Sequence, residues 1–453
     1  MSRKPFHGMV YNSCMPIPIN YQGRKVYHFT QVANLAMILI HGLLSKQEQN
    51  RRGLPHRTII WEAVQHHRAG VSISIGPGGT PEDYIPFYFC KLSPMLLAIM
   101  SSKVIDEEEI IHFEFPIDIL ETHPSVFTDG AVIPNSNPHF FTDPADLDRL
   151  NWQAIDSPAW RMPTESLRHA RLSELLIHRQ IEIDMVSRII VWDSTVAAHV
   201  KQLYQSVGRR PPVIETDPTC YFLASEDPAH PAISGPTLIY QSYQHTIQQL
   251  AAEINQARHP RFAGLRDLLA CLHRNLSCLA ETAELVGLES DNRAHFEDVG
   301  AHTRRVVSEV MRSPEYADFS DHDRILVEIA AFLHDIGKGP KSRWAAYHGK
   351  QQLDHDHPLK ALPMLRRILV EEIEHIAYED AVLICKLVVY HDIIGGILVS
   401  GRKLEELLGM FETRREFEML MCLGRADSIS INPAWNHEAE RNALRQAVIP
   451  NLT

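Results

Sequence analysis

The spacing of apolar residues divides the chain into two parts. Up to about Phe222, short apolar runs alternate with segments of helical period, which is the pattern of an α+β domain. Glycine at position 42 is suited to end a helix. The pattern predicts strands at Lys25 to Phe29, Glu109 to Phe115 and Ser187 to Trp192, and helices at Thr30 to Gly42 and Pro163 to His178.

Beyond this point nearly every segment repeats its apolar residues with the period of a helix. Residues 223–237 contain three prolines and a glycine without apolar periodicity, and are predicted to be a linker. The sequence therefore predicts an α+β domain at residues 20–222 and an all-α domain at residues 238–453. The helices are expected at Ile239 to Gln256, Gly264 to Val286, Phe296 to Arg312, Asp323 to Asp335, Ala361 to Glu374, Glu379 to Tyr390 and Arg402 to Phe411.

Composition narrows the class of protein. The 453 residues are 45% hydrophobic and 22% charged, as in ordinary globular proteins, which excludes a largely disordered or collagen-like chain. Seven cysteines form no Cys-x-x-Cys pair, which argues against a disulfide framework and a zinc ribbon. No run approaches the ~18 apolar residues of a membrane span, and the first residues lack the apolar core of a signal peptide. We therefore expect a cytoplasmic protein without a membrane partner.

The charge of the chain is uneven. A net charge of −12 argues against a protein that is coated by nucleic acid. Residues 1–100 nevertheless carry an excess of Lys and Arg, whereas residues 101–150 are acidic. The basic stretch either attracts a phosphate-bearing ligand or forms an ordinary solvated face, and the sequence leaves both open.

Residues 330–339, Ala-Ala-Phe-Leu-His-Asp-Ile-Gly-Lys-Gly, carry an apolar helical segment directly into a histidine and an aspartate. Adjacent residues on a helix diverge by about 100°. His334 and Asp335 can therefore share one metal ion only if it lies in the notch between them, beside other helices. Gly337 would let the backbone leave the helix, and Lys338 could direct its charge at a phosphate near the metal. The alternative is a buried His-Asp hydrogen bond without a metal.

Further candidate ligands lie along the predicted helices at His302, His357, His391 and Asp427. Together with His334 and Asp335, their order over roughly residues 290–430 resembles that of the HD-domain metal-dependent phosphohydrolases. The resemblance implies that His302, His334, Asp335 and Asp427 hold one metal ion, and that His357 and His391 complete the site of a second.

The ligand types bear on the metal and its chemistry. Mixed nitrogen and oxygen ligands suit Mn, Fe, Co or Ni, with Mg or Zn as alternatives. Two such ions would activate water and clamp a phosphoester, so a nucleotide or another phosphoester is the expected substrate. His355 or His348 could take the place of His357. Asp392 is predicted to be the hydrogen-bond partner of His391 rather than a ligand.

Taken from its residues alone, the first half shows only fragments of a site. Tyr27-His28-Phe29-Thr30 ends a predicted strand and opens a predicted helix, where polar groups and backbone amides can hold a ligand. Glu174 is flanked by apolar residues that indicate partial burial. Its carboxylate could serve a function or could simply pair with an arginine, and the pairing is the more common case.

Several short elements of the first half recur in a fixed order that resembles the DarT family of ADP-ribosyltransferases, from about residue 20 to residue 222. That family consumes NAD and modifies a base in single-stranded DNA. The elements are Tyr-His-Phe-Thr at 27–30, Asn34-Leu35, Gly42-Leu43, the run from Asp83 to Phe89, Ser93-Pro94-Met95, the run from Val126 to Asp129, the run from Leu150 to Ile155, and Ser173-Glu174-Leu175-Leu176.

The resemblance assigns roles to individual residues. Glu174 falls on the catalytic glutamate and Arg68 on the catalytic arginine, with Arg57 as the alternative. A carboxylate near the ribose stabilises the positive charge that develops as nicotinamide leaves. The NAD-binding residues are expected to be His28, Thr30, Asn34, Gly42, Leu43 and Tyr88.

One departure from the family bears on the acceptor. Leu172-Ser173 replace the usual Gln-Ala before the catalytic glutamate, and the residue two positions before that glutamate helps to choose the acceptor in this class. The resemblance implies a DNA base as the acceptor, and this departure leaves RNA or a free nucleoside as alternatives.

The two resemblances together imply an α+β ADP-ribosyltransferase-like domain followed by an all-α HD-type domain. The implied function is bifunctional: NAD-dependent mono-ADP-ribosylation of a nucleobase, and a metal-dependent phosphohydrolase, with Lys338 in its site, that processes or reverses the product or acts on a nucleotide. The family association further implies a toxin-antitoxin or phage-defence role. The alternative is an HD nucleotidase or phosphodiesterase whose first half senses NAD without turning it over.

Overall fold

The chain forms two compact units. The computed structural model describes residues 16–57, 62–134, 136–157, 159, 162–222, 233–256, 259–291 and 297–453. The first unit takes the described residues up to Ala98 and those from Glu107 to Tyr221. The second takes Ile99–Asp106 and the described residues from Phe222 onward. Most of the predicted linker, residues 223–232, lies outside the described residues.

A mixed sheet organises the first unit. Its strand order is β10-β9-β4-β1-β3-β7-β5-β6, with β2 and β8 paired separately. Neighbouring strands are antiparallel except β9 and β10, which are parallel. The described strands are β1 (Lys25–Gln31), β2 (Leu43–Leu44), β3 (Tyr84–Tyr88), β4 (Ile110–Pro116), β5 (Ser125–Thr128), β6 (Phe140–Phe141), β7 (Glu174–His178), β8 (Gln180–Ile181), β9 (Arg188–Val191) and β10 (Val213–Thr216).

Apolar side chains of the sheet and its helices form the core of this unit. Ile111, Phe113 and Phe115 alternate along β4 and are buried in that core, as the two-residue period of a strand requires. The described helices up to residue 206 are α1 (Leu35–His41), α2 (Lys46–Arg52), α3 (Glu62–Gly70), α4 (Pro94–Ser102), α5 (Ile119–Thr122), α6 (Trp152–Ile155), α7 (Glu165–Arg171) and α8 (Ser194–Ser206).

The helix predicted from Pro163 to His178 is wrong in its second half. Helix α7 ends at Arg171, and residues 174–178 form β7 between β3 and β5. Leu175, Leu176 and Ile177 are all fully buried. A strand covered on both faces is a continuous apolar run, and periodicity cannot distinguish it from a buried helix.

The second unit is helical, which together with the sheet of the first unit confirms the predicted fold class. The helix expected from Gly264 to Val286 is divided, because α10 ends at Arg274 and a short 3-10 turn, Leu276–Cys278, follows. The helices are α9 (Pro236–Glu253), α10 (Leu265–Arg274), α11 (Ala280–Ala283), α12 (Val299–Arg312), α13 (Pro314–Asp318), α14 (Asp321–Leu333), α15 (His357–Arg367), α16 (Tyr378–Val389), α17 (Ile393–Gly395), α18 (Leu404–Met410), α19 (Arg414–Ile431) and α20 (Glu438–Val448).

No single helix in the described part of the chain is long and apolar enough to cross a membrane, although one bent pair, Tyr378–Val389 with Ile393–Ser400, meets the criteria of length and composition.

Candidate active site and metal centre

The large sheet is interrupted between β1 and β3. β1 pairs with β4 along all seven of its residues. Between the described residues of β1 and β3, by contrast, the pairing is limited to Tyr27 opposite Tyr88. Beside this point, Nδ1 of His28 donates a hydrogen bond of 2.8 Å to the carbonyl oxygen of Pro86 on β3. The side chain of His28, a predicted NAD-binding residue, therefore makes a hydrogen bond between β1 and β3 where backbone pairing is limited.

Glu174, the predicted catalytic residue, begins β7 and lies opposite Tyr88. Nη1 of Arg68 on α3 donates to both carboxylate oxygens, at 3.0 and 3.2 Å. The side chains of Arg68 and Glu174 are only 9% and 3% exposed. The backbone amide of Glu174 donates to Oγ1 of Thr128 at 3.1 Å. Because a buried charge without its partner is costly, the ion pair holds the carboxylate in one orientation, and the hydrogen bond to Thr128 fixes the backbone at the start of β7.

Arg57, the alternative catalytic arginine, has a different environment. Its side chain is exposed, and its backbone N–H and carbonyl each bind the side-chain amide of Asn34 at 2.9 Å. Nδ2 of Asn34 also donates to Oγ1 of Thr30 at 3.1 Å. Thr30, Asn34 and the backbone of Arg57 thus form one polar cluster, whereas Arg68 is the arginine that contacts Glu174.

Burial keeps two predicted NAD-binding side chains neutral. Burial lowers the pKa of His28 to about 4, and because Nδ1 donates to Pro86, Nε2 is left as an acceptor. Burial and the nearby charge of Glu174 raise the pKa of Tyr88, whose ring stacks on Phe29 at 5.7 Å between centroids. The site therefore presents an uncharged imidazole and an uncharged phenol.

Gly42 and Leu43 have packing roles in this structure. Gly42 ends α1 with a φ of 76°, and a β-carbon there would lie 2.7 Å from the carbonyl oxygen of Ile181. Leu43 is 3% exposed and belongs to the hydrophobic core. What these two residues offer a ligand is accordingly their backbone.

In the second unit, the six predicted metal ligands come together from five helices that are far apart in sequence. His302 lies on α12, His334 and Asp335 follow α14, His357 begins α15, His391 follows α16 and Asp427 lies on α19. All except His357 and Asp427 are at most 3% exposed as whole residues. Helix packing therefore assembles the cluster. This agrees with the expectation that His334 and Asp335 can share an ion only beside other helices.

Asp335 lies at the centre of this cluster. Its Oδ2 is 3.3 Å from Nε2 of His334 and 3.8 Å from Nε2 of His302, whereas its Oδ1 is 3.2 Å from Nε2 of His357. Nε2 of His302 is also 3.0 Å from Oδ1 of Asp427. One carboxylate therefore joins two groups that could each hold an ion: His302, His334 and Asp335, and Asp335, His357 and His391.

Backbone hydrogen bonds orient three of the histidines. Nδ1 of His334, His357 and His391 donates to the carbonyl three residues earlier in each case, at 2.8, 2.8 and 2.7 Å. Metal-bound histidines typically donate their other ring nitrogen in this way. The arrangement fixes the tautomer and turns Nε2 of all three rings toward Asp335.

The Nε2 atoms of His334, His357 and His391 lie close together, as expected for ligands of a divalent cation. Nε2 of His357 and Nε2 of His391 are 3.3 Å apart, although burial lowers the pKa of His391 to about 4 and so removes its second proton. Nε2 of His334 is buried and forms no hydrogen bond within the described part of the chain. Imidazole nitrogens and carboxylate oxygens that converge in a buried space are donors that a divalent transition-metal ion prefers, so this donor set is suited to such an ion.

The charges of the cluster are mutually dependent. Burial alone would raise the pKa of Asp335, but the positive charges of His334 and Lys338 outweigh it and hold that pKa well below its usual range. Burial opposes protonation of His334, yet the carboxylates of Asp335 and Asp427 raise its pKa. A divalent ion would supply the same positive charge and displace the proton of His334.

The structure distinguishes between the alternative residues near this site. His357 reaches Asp335, whereas His348 is exposed on a left-handed turn. Asp392 is not the Nδ1 partner of His391, contrary to the prediction, because the Val388 carbonyl takes that position.

Lys338 and Asp392 each form an ion pair, Lys338 with a residue of the cluster and Asp392 with a residue outside it. Nζ of Lys338 donates to Oδ2 of Asp335 at 2.7 Å, so the lysine lies at the cluster. Asp392 instead pairs with Arg402 at 3.2 Å. Burial would raise the pKa of Asp392, but the charges of Lys103 and Arg402 lower it. Lys103 and Arg402 lie in no sequence motif and so were not predicted to be near the site.

Gly337 has a role other than the predicted one of letting the backbone leave the helix. Helix α14 already ends at Leu333, and Gly337 lies in a 3-10 turn, Ile336–Lys338. A β-carbon at Gly337 would collide with the carbonyl oxygen of His357 and lie 2.8 Å from the backbone nitrogen of Ala361. Glycine is therefore required for α15 to approach and bring His357 to Asp335.

Replacing Gly337 with alanine is expected to displace α15 and to lower the stability of the second unit by about 1–3 kcal/mol, the usual range for an overpacked site. Chemical denaturation followed by circular dichroism measures this change. Gly409→Ala is the matched control, because a β-carbon at Gly409 on α18 would meet no atom within 4 Å. Equal midpoints for both variants would contradict the assigned role of Gly337.

Comparison with known families gives two matches along the chain. Residues 27–222 match the family described as "ssDNA thymidine ADP-ribosyltransferase, DarT". Residues 295–395 match the HD domain. The second match ends before Asp427, so the contact of Asp427 with His302 is an independent observation from the geometry.

Individual proteins resemble the first part of the chain. A DNA ADP-ribosyl transferase of Thermus sp. (strain 2.9) is 32% identical over 195 residues, which cover 42% of this chain and 91% of that protein. A second, from Thermus aquaticus, is 32% identical over 206 residues, covering 44% and 85%. The solved structure of Thermus sp. 2.9 DarT in complex with NAD+ is 28% identical, covers 44% of this chain and 97% of that one, and has a TM-score of 0.39.

The extent of the sequence similarity decides the family. The first relative is matched along nearly its whole length at more than 30% identity, and the family match covers the same part of this chain. The predicted resemblances to both families are confirmed. The chain belongs to the DarT family of ADP-ribosyltransferases and carries an HD domain after its DarT region.

Proposed function

We propose that this chain is a bifunctional enzyme that transfers ADP-ribose from NAD to a base of single-stranded DNA and hydrolyses a phosphoester at its HD-type site. The observation that carries the first activity is the buried carboxylate of Glu174, which Arg68 orients beside the interruption between β1 and β3. The relatives that match this region are named DNA ADP-ribosyl transferases, which supports DNA as the acceptor.

The geometry is suited to breaking the bond between nicotinamide and ribose. As this bond breaks, its electron pair leaves with nicotinamide and positive charge develops on the ribose, which the carboxylate of Glu174 stabilises. A ring nitrogen of the acceptor base then forms the new bond to the ribose and releases its proton. Nε2 of His28, Thr30 and Asn34 supply neutral hydrogen-bonding groups for NAD, and Tyr88 supplies an apolar ring beside Glu174.

The second activity follows from the cluster around Asp335. Bound divalent ions in such a cluster supply positive charge to a phosphoester and activate water. The residues of this chain fix the ligand atoms: backbone carbonyls hold three imidazoles in place, and Asp335 faces both groups of ligands. Lys338 adds a positive charge at the edge of the cluster, where it could contact a substrate phosphate. A phage-defence role and a cytoplasmic location remain predictions.

Incubation of the purified chain with labelled NAD and single-stranded oligonucleotides tests the transferase. We expect label on DNA together with release of nicotinamide, and mass spectrometry of the digested product identifies the base. RNA and free nucleosides are assayed in parallel because Leu172 and Ser173 leave the acceptor open. If NAD is bound but stays intact with every acceptor, the first unit is a sensor and the transferase proposal is wrong.

A further inference from the structure

Lys103 occupies a costly position directly after α4. Its φ is 53°, in the left-handed region that is unfavourable for a residue with a β-carbon. Its side chain is also buried, since the residue is only 5% exposed, and a buried ammonium requires compensation. A backbone and a side chain that are both held in unfavourable states point to a specific role.

The ammonium of Lys103 contacts the segment that leads into α15. Its Nζ donates to the carbonyl oxygen of His355 at 2.9 Å. Asp356, the next residue, accepts hydrogen bonds of 2.8 and 2.6 Å from the backbone nitrogen and Oγ of Ser234. His357 follows immediately, with Nε2 3.2 Å from Asp335. Lys103 and Ser234 therefore anchor the two residues that precede His357.

The histidine that follows the anchored segment belongs to the second ligand group. His357 and His391 are the two ligands that complete the second group with Asp335. The buried ammonium thus anchors the segment that carries a histidine of that group, and this segment contains neither His302 nor His334.

We propose that Lys103 is a positioning residue for the second ion, the one that Asp335, His357 and His391 would hold. The inference rests on the proposed metal-dependent function of the HD-type site. Residues 99–106 belong to the second unit, although they lie inside the sequence range that matches the DarT family. The DarT region of the sequence therefore supplies a component of the HD-type site, and that site is complete only in the joined chain.

Metal binding by full-length Lys103→Gly tests the proposal without relying on activity. Glycine adopts the same φ without strain, so the backbone is not disturbed, while the ammonium is lost. After equilibrium dialysis against Mn²⁺ and elemental analysis, we expect two ions per wild-type chain. In the variant we expect one tightly bound ion and a second weakened by about 10–100-fold, the usual effect of removing a group that supports a ligand.

Two further variants separate charge from packing. Lys103→Met keeps the aliphatic stem and is expected to weaken the second ion as Lys103→Gly does. Arg179→Gly is the control, because Arg179 is an exposed basic residue with a φ of 63°, and it should bind two ions like the wild type.

The possible outcomes are distinguishable. Wild-type affinity for both ions in Lys103→Gly or Lys103→Met overturns the inference, and so does the loss of both ions in either variant, since that indicates general disruption. A wild-type chain that binds one ion overturns the inference alone. A wild-type chain that binds none overturns the proposed HD-type function as well.

Discussion

Glu174→Gln is expected to lower ADP-ribosyl transfer to DNA by about 10²–10³-fold, the loss typical when one preorganised electrostatic group is removed from a transition state. Glutamine keeps the shape and can still contact Arg68, but it carries no negative charge to stabilise the ribose as nicotinamide leaves. The initial rate of label transfer from NAD measures the effect. Because the charge acts mainly in the transition state, kcat should fall while the KM for NAD changes little.

Glu114→Gln is the matched control for this variant. Glu114 is another buried glutamate of the same sheet, on β4 opposite Tyr27, and it pairs with Arg188. Both variants lose a buried ion pair and should lose similar stability in thermal melting, but only Glu174→Gln should lose transfer. A parallel loss of transfer in the two variants would mean that burial of charge, rather than the chemistry of Glu174, accounts for the effect.

The sequence predicted the second unit more closely than the first. Its helices have apolar residues at helical spacing, and His302, His334 and Asp335 occur on or directly after such helices. Local pattern was therefore enough to locate the ligands, and packing of the helices then brought them together. By contrast, β7 contains an unbroken apolar run. It is a strand because it pairs with β3 and β5, and the periodicity of its own residues cannot show this pairing.

Other features depend on contacts between distant parts of the chain and could not be predicted from spacing. The ion pair of Arg68 and Glu174 joins residues 106 positions apart, so the sequence left Arg57 as an alternative. The need for glycine at 337 arises from the approach of α15, not from the turn in which it lies. Lys103 lies in no motif, and its contact with the His355 carbonyl spans 252 positions.

Asp335→Asn is expected to remove both metal ions and to abolish phosphoester hydrolysis. Oδ2 of Asp335 faces His302 and His334 and Oδ1 faces His357, so a single carboxylate serves both groups. Asparagine removes the shared negative charge and replaces one oxygen with an N–H donor, which cannot bind a cation. We expect each ion to bind at least about 100-fold more weakly, since loss of a mere supporting group already costs about 10–100-fold.

Graded metal loss distinguishes this effect from simple unfolding. His357→Gln removes a ligand of the second group only, so it should retain one ion where Asp335→Asn retains none. Glu328→Gln is the control, because Glu328 is a buried carboxylate on α14 that binds His273 and Tyr316 and none of the six ligands. This variant should retain two ions. Added Mn²⁺ should raise the melting temperature of the wild type and of Glu328→Gln but not that of Asp335→Asn, because an ion stabilises only a fold that binds it. Two ions in Asp335→Asn would show that the carboxylate is not shared and that the two groups are independent sites.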